Sequence, residues 1–282
     1  MTAQTIRGQT VILRPSVVGR SAQTYIGFEE ERLVKLASYN GRSDQGTSWM
    51  GFFNCRKEGV TEVVSLEEFL GIDGWRSSKG VVLRSHSTGA CSGVMQLEEV
   101  FAVQVEGNGW EIISANPVFD ASAAREGLYA ANLGLVGKMT GGAAIVESKW
   151  DIRGGSGSFP AAANGTHVNG TNGHISTPSF NGGSTNSKTL TVKTSLKALG
   201  TWGIWLSCAE DAISIDDNVM ILLEKRVVPR HCVTLVDGKG IEERGEGGQG
   251  VVLQVDVERA WREMELRAGW GNEVSVEAFV RF

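Results

Sequence analysis

The sequence has little of several features that would identify a class of protein at once. Its 282 residues include only five prolines and four cysteines. No run of about 18 consecutive apolar residues occurs, which excludes a transmembrane helix of ordinary length. The first residues lack an unbroken apolar core of signal-peptide length. We therefore expect a cytoplasmic protein that is water-soluble when first made.

The cysteines and the charge exclude further classes. Cys55, Cys91, Cys208 and Cys232 are scattered, without the CxxC spacing of many zinc and redox sites, so reduced thiols are predicted. With 27 basic and 32 acidic side chains the net charge is −5. An overall negative field does not attract nucleic acid or anionic lipid, so any phosphate binding requires a local basic patch.

Catalytic and metal-binding patterns are sparse. His167 and His174 lack both the i, i+4 spacing and the cysteine partners of a metal site. The glycine run at residues 245–250 contains no lysine, unlike a phosphate-binding loop. His231 and Cys232 are neighbours at the start of a predicted strand, where they would point to opposite faces. The sequence therefore predicts neither an enzyme, nor a metal site, nor a cofactor.

Thirty-seven glycines and many short β-branched runs predict an α+β fold: a twisted, mainly antiparallel sheet with a few short helices in one domain over residues 1–282. The predicted helices are 29–38, 65–70, 121–132 and 257–267, and Ser65-Leu-Glu-Glu is a capping box for the second. The predicted strands are 10–13, 81–84, 93–97, 100–105, 110–114, 188–199, 218–228, 232–236, 251–257 and 273–282.

Residues 189–198 alternate in a way that predicts an amphipathic strand. Even positions carry Leu190, Val192, Thr194, Leu196 and Ala198, and odd positions carry Thr189, Thr191, Lys193, Ser195 and Lys197. The strand follows a polar insertion, residues 154–187, and the small-residue run 137–146 before it is predicted to complete a β-hairpin. Ten tilted residues cover roughly 25 Å, the height of the apolar band of a membrane β-barrel. A half-buried strand of a water-exposed sheet would alternate in the same way.

An aromatic cluster precedes a basic pair. It comprises Trp49, Met50, Phe52 and Phe53, between a polar turn and the cations Arg56 and Lys57. Such a loop tip could bury its aromatic rings at the acyl boundary of a membrane while the cations meet headgroup phosphates. The alternative is a hydrophobic strand that enters the core.

In their order along the chain, these pieces resemble the pore-forming domain of gasdermins. The similarity consists of the aromatic tip 48–53, the helix-like 64–70, the segments 92–94 and 141–144, and the segments 195–196, 201–202, 217–228 and 273–282. The resemblance implies a protein that assembles into a homo-oligomeric ring on acidic membrane phospholipids. It would then insert hairpins as a β-barrel pore at the plasma membrane and act in regulated cell death, including fungal non-self recognition.

The resemblance also implies roles for individual residues. Lys193 and Lys197 would face the lumen of the pore, and Leu190, Val192 and Leu196 would face lipid. Gly141, Ala143 and Ile145 would belong to the paired strand. The aromatic cluster, Arg56, Lys57, Arg7 and Arg14 would contact lipid.

Two departures from the family concern control of the pore. A basic amphipathic N-terminal helix is not visible, and the chain has no room for a repressor domain, so we expect control by a divergent gasdermin-like partner or an activating protease. The alternative function is a β-rich structural or interaction protein, capsid-like, whose strand faces are ordinary core and surface. A third is an enzyme with an unrecognised site.

Overall fold

The computed structural model describes residues 2–13, 15, 17–21, 32–40, 46–71, 75, 78–154, 187–208, 212–238, 250–267 and 272–282. Over these residues the chain is mostly antiparallel strand with a few short helices, as predicted. Most of the insertion, with His167 and His174, lies outside the described residues, as do Arg14 and residues 245–249.

The helices are α1 (Ile215–Asn218) and α2 (Val257–Glu263), with 3₁₀ turns at Leu66–Glu68, Gly141–Ala144 and Arg230–Cys232. The strands, in chain order, are β1 (Thr2–Gln4), β2 (Thr10–Ile12), β3 (Val17–Ser21), β4 (Val34–Asn40), β5 (Thr47–Phe53), β6 (Val60–Ser65), β7 (Val81–Ser85), β8 (Cys91–Met95), β9 (Val100–Val105), β10 (Trp110–Pro117), β11 (Phe119–Asp120), β12 (Tyr129–Leu135), β13 (Ile145–Gly154), β14 (Lys188–Leu196), β15 (Thr201–Leu206), β16 (Val219–Leu223), β17 (Arg226–Val227), β18 (Val233–Gly238), β19 (Gly250–Asp256) and β20 (Val274–Arg281).

Two five-stranded sheets form a β-sandwich. Their strand orders are β11-β12-β15-β19-β18 and β13-β14-β20-β16-β17. Apolar side chains from both sheets meet in one core, among them Ile204 and Leu253 from the first and Val192 and Val276 from the second. Each sheet packs one face against this core. The inner strands β12, β15 and β19 of the first sheet are buried on their other face as well, where Leu133, Trp205 and Val252 pack with Val82 of β7 and Cys91 of β8.

A six-stranded sheet, in the order β3-β4-β5-β10-β7-β8, has a separate core. The two-stranded ribbon β6–β9 covers this core, and Val64, Phe101 and Val103 pack onto Met50 and Phe52 there. A small sheet of β1 and β2 completes the described topology.

Two predicted helices were wrong. Of residues 29–38, those from Val34 onward form strand β4, and residues 129–132 open strand β12 instead of ending a helix. Gly127, inside the predicted helix 121–132, has φ of +71°, a conformation that a helix interior excludes. The ladder between β12 and β15 then satisfies the backbone, so long-range pairing outweighs local helix propensity.

The starts of two predicted helices were confirmed, but both elements are shorter than predicted: the first is the 3₁₀ turn Leu66–Glu68, and α2 ends at Glu263. The capping box at Ser65 is present, with Glu67 N–H donating to Ser65 Oγ at 3.2 Å and Ser65 N–H donating to Glu68 Oε1 at 3.2 Å. Helix α2 begins at Val257, as predicted, and Arg259 N–H donates to the capping carboxylate of Asp256 at 3.0 Å.

A buried polar group connects the two sheets of the sandwich. Asn132 Nδ2 on β12 donates to Ser148 Oγ at 3.1 Å and to Thr194 Oγ1 at 3.0 Å, both in the opposite sheet. Asn132 Oδ1 accepts from Trp202 Nε1 at 2.9 Å and from Gly134 N–H at 3.1 Å. Since all four partners are specified, this amide fixes how β12 lies over the β13–β14 hairpin.

Two threonines on β14 provide a matched test of that network. We expect Thr194→Val to lower the free energy of unfolding by about 1 to 3 kcal/mol, because one buried amide hydrogen of Asn132 loses its acceptor. Thr191→Val should be neutral or stabilising, since Thr191 Oγ1 is buried without a hydrogen-bond partner. Urea unfolding of both variants measures the difference, and equal losses would contradict the role of the network.

Candidate functional site

The β13–β14 hairpin is amphipathic on both strands. Leu190, Val192 and Leu196 of β14 are fully buried in the sandwich core, and Trp150 and Ile152 of β13 pack against it. The opposite face carries Glu147, Lys149, Asp151 and Arg153, paired at 2.9 Å for Lys149 Nζ–Glu147 Oε1 and 2.8 Å for Arg153 Nε–Asp151 Oδ2. The predicted alternation of β14 is thus present, with its apolar face directed into the protein.

Strand β14 is an interior strand of its sheet. It pairs with β13 on one side and with β20 on the other, where eight residue pairs run from Thr189–Arg281 to Leu196–Val274. Lys193 Nζ, on the outer face, lies 3.0 Å from Glu277 Oε1 of β20. Separating the hairpin from the sheet would therefore break a complete ladder.

The first strand of the hairpin lies later in the sequence than predicted. Ile145 begins β13 and pairs with Leu196, but Gly141 and Ala143 lie in the preceding 3₁₀ turn. A Cβ on Gly141 would lie 1.9 Å from the carbonyl oxygen of Leu135, so this glycine serves a close approach of the turn to β12. Lys197 follows β14 and is half-buried, and its N–H donates to Ala144 O at 2.9 Å.

The prediction that the aromatic cluster is a loop tip was wrong. Residues 47–53 form β5, which lies between β4 and β10 in the six-stranded sheet. Trp49, Met50 and Phe52 are 3%, 0% and 0% exposed, and Phe53 is half-buried. Pairing with β4 and β10 satisfies the backbone of β5. Trp49 packs in the sandwich core on one face, and Met50 and Phe52 pack in the core of the six-stranded sheet on the other. The core-strand alternative describes this segment.

The cations predicted to accompany the cluster are separated from it or lie elsewhere. Lys57 is exposed in the turn after β5, Arg56 is half-buried there, and Arg7 is exposed in the turn between β1 and β2. The basic groups that do share a pocket with Trp49 are Arg84, His86 and Lys138. Burial lowers the pKa of Arg84 and of His86 from their ordinary values. An arginine inside the apolar run of β7 was the available sequence signal for this pocket.

The ribbon β6–β9 presents an uncharged outer face. Its outward positions are Thr61, Val63, Ser65, Val100, Ala102 and Gln104, which are register neighbours across the two strands. Val63 and Val100 are 65% and 56% exposed, the alternate residues being turned into the core. The sequence predicts β9 with its observed bounds but not β6, so Val63 and Val100 could not be placed on one face from the sequence alone.

A buried ion cluster anchors this ribbon. Lys35 Nζ on β4 lies 2.6 Å from Glu62 Oε1 of β6 and 2.7 Å from Glu68 Oε2 of the following turn, and Leu33 N–H donates to Glu62 Oε2 at 2.9 Å. Burial lowers the pKa of Lys35, but hydrogen bonds and charges of the two carboxylates outweigh burial and raise it overall. The ammonium group therefore stays charged at neutral pH. Its contribution to the free energy of unfolding is lost only as pH rises through that raised pKa.

Both outer edges of the ribbon are open in the part of the chain that the structure describes. There β6 and β9 form a ladder with each other and with no third strand. Open edges expose backbone N–H and C=O groups that can pair with another chain. Together with the uncharged face, they make the ribbon the candidate interaction site.

No family model matches the sequence, and no curated protein matches it. Among the helices of the described residues, none has the length and apolar character needed to cross a membrane.

Proposed function

We propose that the chain is a β-rich structural or interaction protein, capsid-like in that copies associate with one another through the β6–β9 ribbon. The observation that carries the proposal is the combination of an uncharged, valine-bearing outer face with two strand edges that no other strand of the described residues covers. The apolar faces of β5 and β14, which a membrane protein would present to lipid, are used inside the folded chain.

The chemistry of the ribbon favours a second copy as the partner. Near a two-fold axis each side chain lies close to its own counterpart, so a charged outward residue would face a like charge. All six outward positions are uncharged. Because the ribbon has an edge on each side, it can also pair twice, which repeated assembly requires.

A lysine on the outer face tests this association. We expect Val63→Lys to abolish concentration-dependent self-association measured by sedimentation velocity, because it places like charges opposite each other and hinders their desolvation. The fold should be retained, since Val63 points outward from the core.

Val236→Lys is the matched control. Val236 is 42% exposed on β18, in a different sheet, and its replacement should leave association unchanged. A wild-type protein that stays monomeric at every concentration, or equal effects of both lysines, would contradict the proposal.

A second candidate is the gasdermin-like pore, which the amphipathic hairpin favours. Both strands have an apolar and a polar face, and residues 155–187 join their ends. In this function the chain binds acidic phospholipids, forms a homo-oligomeric ring at the plasma membrane and inserts the hairpin, causing regulated cell death under control of a partner or a protease. Hairpins from adjacent copies must close into a barrel, because unpaired backbone groups in lipid cost several kcal/mol each.

A reversible cross-link tests whether the hairpin is released. Ser195 and Ser275 are direct partners across β14 and β20, and antiparallel partners lie at Cα separations that a disulfide can bridge. If the hairpin leaves β20, the oxidised Ser195→Cys, Ser275→Cys double variant should not release dye from anionic liposomes. Reduction should restore leakage.

The Ser195→Cys single variant, under the same oxidant, controls for the four native cysteines. Absence of leakage by the wild-type protein, or leakage by the locked variant, would exclude this mechanism of pore formation.

A further inference from the structure

Three side chains of different chemistry converge beside helix α2. His231 Nε2 lies 2.5 Å from Glu263 Oε2, and Cys232 Sγ lies 3.9 Å from the same oxygen. One potential ligand atom from each residue lies within 4.8 Å of the other two. The cluster joins the turn before β18 to the end of the helix that follows β19.

The 3₁₀ turn makes this convergence possible. On a strand, His231 and Cys232 would point to opposite faces, as the sequence analysis expected. They instead belong to the 3₁₀ turn Arg230–Cys232, where Cys232 N–H donates to Pro229 O at 2.9 Å. Successive residues of such a turn are about 120° apart around its axis, so two neighbours can both approach α2.

We propose that His231, Cys232 and Glu263 bind a divalent zinc-class cation. An imidazole nitrogen, a thiolate and a carboxylate oxygen are the donor types that Zn²⁺ takes in proteins. Three protein ligands leave the fourth tetrahedral position open to solvent, because the side chains of His231 and Glu263 are partly exposed.

The distances require only small side-chain movements. Ligand atoms about 2.0–2.3 Å from a tetrahedral ion lie about 3.3–3.6 Å apart. The ion would replace the His231–Glu263 hydrogen bond, moving those two groups apart by about 1 Å and drawing Cys232 closer to Glu263 by a few tenths of an ångström. The His231 nitrogen and the Cys232 sulfur lie within 4.8 Å of each other and would approach by up to about 1.3 Å. His231 and Glu263 are at the surface and can rotate, whereas Cys232 is held in the sandwich core.

Arg259 orients the carboxylate. Its Nε donates to Glu263 Oε1 at 2.7 Å, one helical turn away, and leaves Oε2 directed at His231 and Cys232. By this hydrogen bond Arg259 would hold the carboxylate in the orientation that the metal ion needs. The alternative is a plain His–Glu ion pair beside a buried thiol, with no affinity for metal.

Cobalt is the probe that separates the two interpretations. We expect the full chain, kept reduced with a phosphine, to bind Co²⁺ with a thiolate-to-cobalt charge-transfer absorption that Zn²⁺ abolishes by displacement. Cys232→Ser should remove that absorption. Glu263→Gln and His231→Ala should each weaken binding by at least about ten-fold, the smallest loss typical when even a group that only orients a metal ligand is removed.

Cys55→Ser is the matched control, since Cys55 is an exposed free thiol outside the cluster. It should retain both the absorption and the affinity. No charge-transfer absorption in the wild type, or one that is lost in Cys55→Ser and retained in Cys232→Ser, would overturn the proposal. If Cys232→Ser does not fold by circular dichroism, the surface variant Glu263→Gln decides: unchanged Co²⁺ affinity there also overturns it.

Discussion

The position of the β13–β14 hairpin depends on one buried amide. Asn132 uses its nitrogen on Ser148 and Thr194 of one sheet and its oxygen on Trp202 and Gly134 of the other. A buried polar group is tolerated only when its partners are present, so sliding the sheets would leave several groups unsatisfied at once. The network holds the sheets in the arrangement in which the apolar face of β14 is buried and the charged face of β13 is in water. A sandwich and a barrel can both bury one face of such a strand, so its alternation alone does not distinguish them.

With the hairpin fixed, the functional question becomes which surface remains available without disrupting the fold. The outer face of the ribbon β6–β9 can bind a partner without any change in the fold. Its inner face packs on the core of the six-stranded sheet, and the ion pairs of Lys35 with Glu62 and Glu68 hold it in place. The hairpin becomes available only after β14 leaves β20 and its apolar residues leave the sandwich. Association through the ribbon therefore requires a smaller rearrangement than pore formation, which is why we propose it first.

Structure that depends on neighbouring residues could be predicted from the sequence, whereas strand pairing between distant segments could not. The capping box at Ser65, the start of α2 and the alternation along β14 each depend on side chains a few residues apart. Whether the segment around Trp49 is a loop tip or a central strand depends on β4 and β10, which pair with it from elsewhere in the chain. The same holds for residues 129–132, where pairing of β12 with β15 replaced a predicted helix.

The cluster at His231 was missed because a local element boundary was predicted wrongly. On a strand, His231 and Cys232 would point to opposite faces, but the strand begins only at Val233. A one-residue shift of an element boundary changes a pair that points apart into a pair that converges on Glu263. Since Glu263 is 31 residues away from Cys232, no spacing rule would have joined them. The sandwich supplies the third ligand by laying α2 beside the turn, so the chemistry of this site is a property of the fold.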